Sequence, residues 1–348
     1  MQTSAPTKVR RRQSWFVITT LAVAGAAACG GSGSSASDAS RPSANSRTSA
    51  TPNPTTTEAS VGAGPVVAFE RVVSGSEDPD LYAVPAGGGT AVLVRHQSGN
   101  PHWSPDGKTL AFLTCLNPPD CTTAVALLDR ATGRVHGFSM RDPDLYTPCA
   151  IWAPSGGTLA CEGTSDTHPT RNGIYTIRVS DGKALTRITR NPRGTDSPLA
   201  YSPDGAQLLI SRSDNTRSSS ANQALFVVTL AGGRAARITP WGYSDDSAGW
   251  SADGHTIVFG TNGSLYHVTR SGRDFGKIRL AGSAAGSPDA NMFDVSFSPD
   301  GRRIVFSMRS GRAQAVGLYT ALPDGSDVTQ LTTSPTEDHH AAWGAAAR

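Results

Sequence analysis

Beyond residue 64 the chain is written in short apolar or β-branched runs separated by turn residues. Residues 109–114, 125–129 and 134–138 are three such runs, and the turn RATG at 130–133 separates the last two. The same order returns at 207–211, 225–230 and 235–239. Runs this short, bounded by Gly, Pro, Asp and Ser, predict β-strands joined by hairpins. No amphipathic helical stretch of useful length interrupts them, so the pattern predicts an all-β fold.

An aromatic residue phases the runs. Trp103, Trp152, Tyr201, Trp250, Phe297 and Trp343 follow one another at steps of 49, 49, 49, 47 and 46 residues. A repeat near this length marks a solenoid, a propeller or an array, and four hairpin-connected strands per period make the blade of a β-propeller. The ends of the array are half-blades. Residues 66–69 read as a second strand with no first strand before it, and 81–84 and 91–95 as the third and fourth. Residues 340–343 read as a first strand with nothing after it. Joined, they give one blade of one C-terminal and three N-terminal strands, which closes the ring and removes its open edges. Five full periods plus this shared blade predict a six-bladed propeller.

The turn after each aromatic has its own chemistry. SPDG occupies 104–107, 202–205 and 298–301; SADG stands at 251–254 and APSG at 153–156. Pro presets φ for the second turn position, Asp suits the next, and Gly takes the positive φ that closes a bulged hairpin. Asp106, Asp204, Asp253 and Asp300 are therefore read as turn formers, not as catalytic or metal-binding groups. The aromatic, the SPDG turn, the apolar strand and a closing Leu/Ile-Thr pair (Ile188-Thr189, Ile238-Thr239, Leu331-Thr332) together resemble the TolB-type propeller repeat. The resemblance spans about residues 65–343. It implies the fold firmly and the function only broadly, since members include periplasmic scaffolds, propellers attached to peptidases and some sugar-acid lyases. TolB itself carries an α/β domain before its propeller. This chain has a Ser/Thr-rich stretch there, which sets it apart from a Tol–Pal assembly role.

The N-terminus predicts export. Lys8, Arg10, Arg11 and Arg12 precede an apolar run, 15–28, that ends in three alanines. This is the layout of a secretory signal, and the run is too short for a membrane span. Cys29 follows at once, in GAAACG. That resembles a bacterial lipoprotein lipobox, in which the Cys becomes the acylated, palmitate-type N-terminus, although Ala26 stands where Leu is usual. Simple cleavage near Ala28 is the alternative. Residues 30–63 are nearly free of apolar side chains and predict a flexible tether. The expected plan is a signal peptide at 1–28, a lipid-anchored linker at 29–63 and the propeller at 64–348. It places an exported monomer on the outer face of the cell membrane. The formal charge of +3 includes the four basic residues of the signal, and without them it is −1. With no cluster of Lys and Arg left, nucleic acid is excluded as a partner.

In an exported chain, Cys115, Cys121, Cys149 and Cys161 predict disulfides. Cys115 and Cys121 flank one inter-strand loop. Cys149 and Cys161 sit symmetrically about the 154–157 turn. The expected pairs are 115–121 and 149–161. There is no G-x-S-x-G, H-E-x-x-H, Walker loop or strand-borne G-x-G-x-x-G, so the sequence weighs against an enzyme. Chemistry-bearing residues do gather before the phasing aromatics: Asp196, Asp245 and Asp338 five before; Asp246 and His339 four before; Asn100, Asp294 and His340 three before. They could form a collar at the channel mouth that takes a divalent cation or a basic or hydroxylated ligand. The simpler reading leaves the Asp side chains capping turns and the His pair in solvent. Trp241, out of phase with the other tryptophans, is a candidate exposed contact. The expected function is a binding or scaffold module for an envelope protein, peptide or glycan, without a resident cofactor. A lyase or hydrolase using the collar is the second reading.

Overall fold

The computed structural model describes residues 61–347, apart from 74–75, 77, 116–122, 139–141, 143, 245–246, 282–289 and 310–314. The signal segment, Cys29, nearly all of the tether, Cys121, Asp245 and Asp246 lie outside the described residues, as does the side chain of Cys115. The expected 115–121 pair and the two Asp therefore have no structural account.

The strands follow in chain order: β1 (Val66–Val72), β2 (Asp80–Pro85), β3 (Val92–Arg95); β4 (Ser98–Trp103), β5 (Thr109–Cys115), β6 (Thr123–Asp129), β7 (Val135–Phe138); β8 (Cys149–Trp152), β9 (Thr158–Gly163), β10 (Gly173–Arg178), β11 (Thr186–Arg187); β12 (Asp196–Tyr201), β13 (Gln207–Ser213), β14 (Gln223–Thr229), β15 (Arg234–Arg237); β16 (Ala248–Trp250), β17 (Thr256–Thr261), β18 (Ser264–Thr269), β19 (Gly276–Lys277); β20 (Asn291–Phe297), β21 (Ile304–Arg309), β22 (Val316–Ala321), β23 (Thr329–Gln330); and β24 (Glu337–Gly344). The helices among the described residues are two single 3₁₀ turns, Pro169–Arg171 and Ser219–Ala221. The fold is an all-β propeller. β4–β7, β8–β11, β12–β15 and β16–β19 are four separate four-stranded antiparallel sheets. An eight-stranded sheet holds the rest. It contains the run β20-β21-β22-β23 and the run β24-β1-β2-β3, joined by the one parallel bridge Val316–Glu337. As expected from the half-blades, β24 pairs antiparallel with β1, Trp343 opposite Val67.

The turn sequence acts as its residues dictate. In all three SPDG turns and in SADG, the Ser hydroxyl donates to the Asp two residues on, at 2.6–2.7 Å (Ser104–Asp106, Ser202–Asp204, Ser251–Asp253, Ser298–Asp300). The same Asp oxygen accepts the N–H that follows the Gly. The Ser oxygen accepts the N–H of the residue five on, which starts the next strand in three of the turns and in the fourth is Arg303, just before β21, at 2.9 Å in each case. The Ser hydroxyl bond, above all, holds these four carboxyls below the usual Asp range. Gly107, Gly205, Gly254 and Gly301 sit at φ of 69–70°.

The aromatics that set the period pack between sheets. The indole N–H of Trp152 donates to the His102 carbonyl, and that of Trp250 to the Ala200 carbonyl, each one sheet back. Nine residues after each of the first five markers a side chain is fully buried: Phe112, Cys161, Ile210, Phe259 and Phe306. In the β8–β11 sheet this position belongs to the disulfide Cys149–Cys161, which joins β8 to β9.

Candidate binding site at the channel mouth

The first strands of propeller blades line the central channel. Three of them, β20, β24 and β4, touch one another in that order. Each slips register against its second strand, and at the slip Asp294, His340 and Asn100 adopt left-handed φ of 54°, 48° and 52°. These are the residues three before the aromatic. A bulge re-aims the side chain at the slip, and Asp, Asn and His are the residue types that tolerate this backbone best. The spacing-aligned positions therefore converge over this arc of the ring.

Glu70 of β1 joins them. Sequence reasoning missed it because β1 lies out of phase with the markers; the one signal was a carboxylate inside an apolar strand, VVAFERV. Glu70 is only 3% exposed. One carboxylate oxygen accepts the Asn100 N–H and the other lies 3.1 Å from His340 Nδ1. Asp294 is also buried. It accepts the His340 N–H at 3.2 Å and the Ser307 hydroxyl at 3.3 Å, and faces His339 Nδ1 at 3.4 Å and His340 Nε2 at 3.6 Å. His339 Nε2 lies 3.3 Å from Glu337, whose other oxygen accepts from Arg309 at 2.7 Å. Phe293 stacks on the His339 ring at 5.3 Å. His102 Nε2 lies 3.1 Å from the Asn100 side-chain oxygen.

Burial opposes ionisation of Asp294, but the charges and hydrogen bonds of His340 and His339 outweigh it and hold its carboxyl at about 2. Burial also disfavours the His339 cation; its bond and attraction to Asp294 win and raise its pKa. His102 goes the other way, pushed down to about 4 by burial first and by the His340 charge second. One cluster thus holds a charged-leaning and a neutral imidazole. The His pair is not free in solvent: the side chains of His339 and His340 are 18% and 34% exposed.

Asp196 and Asp338 are held elsewhere. Both are wholly buried inside their sheets. Arg212 grips Asp196 through two bonds of 2.6–2.7 Å, and Arg71 grips Asp338 through two of 2.7–2.9 Å. Thr189 and Thr332, from the closing Ile/Leu-Thr pairs, donate their hydroxyls to the same carboxylates. Each Thr oxygen also accepts a strand N–H, from Ile174 and Leu318. Thr189 and Thr332 thus clamp the third strand of one blade to the first strand of the next, whereas Thr239 accepts from the Leu225 N–H and donates to the Tyr243 carbonyl. Trp241 is half-buried, with the Arg217 and Arg237 guanidinium groups near its ring and Phe226 edge-on against it. Among the described residues no group of three or more His, Cys, Asp and Glu has the arrangement to hold a metal ion.

The phased aromatics, the Ser-Asp-Gly turns and the Thr clamps recur through the chain, and the sequence pattern of the TolB beta propeller domain matches residues 89–347. No curated protein sequence matches. Among solved structures, TolB from Acinetobacter baumannii is 19% identical with a TM-score of 0.61, over 81% of this chain and 67% of that one. Kuenenia stuttgartiensis hydrazine synthase is 13% identical with a TM-score of 0.61, over 81% of this chain and 46% of that one. A chain of the nidogen/laminin complex is 8% identical with a TM-score of 0.58, over 81% and 99%. At these identities the likeness is one of fold. With three-quarters of its length matched to that repeat pattern, the chain belongs to the TolB β-propeller domain family.

Proposed function

We propose that the chain is an exported, lipid-anchored six-bladed propeller that acts as a binding or scaffold module for a protein, peptide or glycan of the cell envelope. The eight-stranded sheet is read as two blades held by one bridge, which with the four separate sheets makes six. The observation that carries the binding reading is the cluster of Glu70, Asp294, His339, His340 and Asn100. Its buried carboxylates are satisfied by its own imidazoles, the backbone and the Ser307 hydroxyl, so it presents a fixed polar surface in which His339 and His340 stay partly exposed. Preformed polar groups of this kind orient a ligand rather than react with it. The signal, Cys29 and the tether support anchoring at the outer membrane face. A photo-crosslinking side chain placed at Glu337 in the native host tests the binding reading. One dominant cross-linked envelope partner is expected, and its absence would sink the proposal. Metabolic labelling with an alkyne fatty acid tests the anchor: label is expected on the wild type and not on Cys29→Ser.

A lyase or hydrolase remains the second reading, and one observation favours it. His102 and His339 have pKa values displaced in opposite directions within one cluster, as acid and base partners do. Turnover of an envelope glycan or peptide that His339→Gln abolishes without lowering the melting temperature would decide for it.

A further inference from the structure

β15, the outermost strand of its sheet, reads RAAR, with Arg234, Ala236 and Arg237 exposed. It pairs with β14 on one side. The Ile238 N–H donates to the Leu225 carbonyl, which fixes the phase of the ladder. Bonded and non-bonded pairs alternate in an antiparallel ladder, so Ala235 and Arg237 turn their backbone N–H and C=O away from β14. Among the described residues no backbone group pairs with that outer edge.

The same edge is cationic and rigid. The Arg217 and Arg237 guanidinium groups lie 4.6 and 5.7 Å from the Trp241 ring. Trp241 packs edge-on against Phe226 at 5.9 Å, and the Gly242 N–H ties its loop to the Gln223 carbonyl at 2.8 Å. The Trp241 ring, and for Arg217 an Nε bond to the Ala221 carbonyl at 3.1 Å, hold the two guanidinium groups in place, while the Arg217 Nη groups and the Arg237 guanidinium make no carboxylate pair among the described residues and can take an acceptor. Arg193, with a 70% exposed side chain, adjoins them across Asp214 at 4.0 Å. Asp214 is the one carboxylate among the described residues in ion-pair range of Arg193, Arg217, Arg234 or Arg237, and it already accepts from Thr216.

We infer that an extended acidic segment of a protein partner docks along the outer edge of β15. It pairs with the backbone of Ala235 and Arg237 and sets carboxylates on Arg237 and Arg217. An added strand supplies main-chain hydrogen bonds, and the arginines select the charge. A second copy of this edge would bring Arg against Arg, which disfavours self-pairing. The inference rests on the binding-module reading but not on the channel-mouth cluster.

The test uses the full chain and a fluorescein-labelled peptide of alternating Glu and Thr, read by anisotropy, with a Lys-Thr peptide as control. The Glu-Thr peptide binds and the Lys-Thr peptide does not. Arg237→Ala weakens binding about tenfold. Ala235→Pro removes only an outward N–H, which an edge strand tolerates, and weakens binding at least as much. His340→Ala leaves it unchanged, and melting curves confirm that each variant is folded. Absence of binding to the wild type, or unchanged binding in both edge variants, overturns the inference. So does capture of hyaluronate in place of the peptide, which assigns the arginines to an acidic glycan. Binding that falls with His340→Ala and not with the edge variants moves the partner to the channel mouth and likewise overturns it.

Discussion

Replacing Arg130 by Met should loosen the closure of the ring more than any other single surface-loop change. Arg130 follows β6 and is only 4% exposed. Its guanidinium donates to the carbonyls of Gly62 and Gly64 before β1, to Ala345 after β24 at 2.9 Å and to Gly107 in the first SPDG turn at 3.2 Å. It also lies 5.0 Å from the Trp103 ring. No carboxylate pairs with it among the described residues, so carbonyl dipoles and an aromatic face balance the charge. Gly107 is where this closeness is enforced: a Cβ there would stand 2.6 Å from the Ala345 oxygen. Met keeps the aliphatic volume and removes every donor. Two carbonyls that are buried or half-buried, Gly107 and Ala345, would then lose a charged partner, at about 1–3 kcal/mol each. The cation–π contact adds about 0.5–2 kcal/mol. Release of a buried cation returns part of this, because desolvation already lowers the Arg130 pKa. A net loss of about 2–4 kcal/mol follows. Unfolding entropy near 2.1 cal/mol/K per residue, over a unit spanning Glu58–Arg348, converts this to a fall in Tm of about 3–7 °C. Differential scanning calorimetry on Arg130→Met and Arg130→Lys measures it, with Lys expected to lose about half as much because it is a point donor rather than a fork. A Met variant that melts within about 1 °C of the wild type would refute the view that this guanidinium clasps both ends of the propeller.

Three other outcomes follow from the same structure. Arg212→Met should cost about 3–5 kcal/mol, since it leaves the wholly buried Asp196 unpaired, and chemical denaturation would report it. Reducing Cys149–Cys161, twelve residues apart, should cost about 2–3 kcal/mol in a melt with and without phosphine reductant. Stability should also peak in mildly acidic solution. The raised pKa of His339 gives stability that is complete below the ordinary His value and is lost as pH rises through the folded one. The depressed pKa of Asp294, about 2, gives stability present above the ordinary Asp value and lost as pH falls toward 2. In a pH series of melts, His339→Gln should flatten the neutral limb and Asp294→Asn both limbs; an unchanged profile in either variant counts against the pairing.

How legible this was in the sequence depends on the physics behind each feature. The first and second strands of four blades were legible because the turn between them holds a Ser, Asp and Gly that bond locally. β5, predicted at 109–114, runs Thr109–Cys115, and β13, predicted at 207–211, runs Gln207–Ser213. Ring closure was legible because two half-blades had no other partner. The site was legible only in part. Residues three before the aromatic share a bulge, so spacing found Asn100, Asp294 and His340 together. Residues five before it sit in regular strand, and the pleat carries Asp196 and Asp338 to the opposite face, onto Arg212 and Arg71. Nothing in the spacing distinguishes the two cases, because the difference is one inserted residue. Glu70 escaped notice since its proximity to His340 arises from pairing of strands 270 residues apart.

The bulge also explains why the cluster can vary without harming the fold. The aromatic marker and the residue nine beyond it are bound to the core on both sides. In β4, β20 and β24 the residue three before the marker lies inside the slip of the ladder, so its identity there is not dictated by pairing across the sheet, whereas Cys149 and Pro198 still stand opposite Cys161 and Ile210. That position is held by Asn100, Cys149, Pro198, Asp294 and His340 in the first strands and by Ser247 just before β16. One of them became half of a disulfide, and three adopted the left-handed backbone and met around Glu70. A repeat that spends its regularity on turns, clamps and core aromatics leaves this position open to chemistry in the blades where the ladder slips at it. The three neighbouring first strands at the ring closure are where this chain has used it.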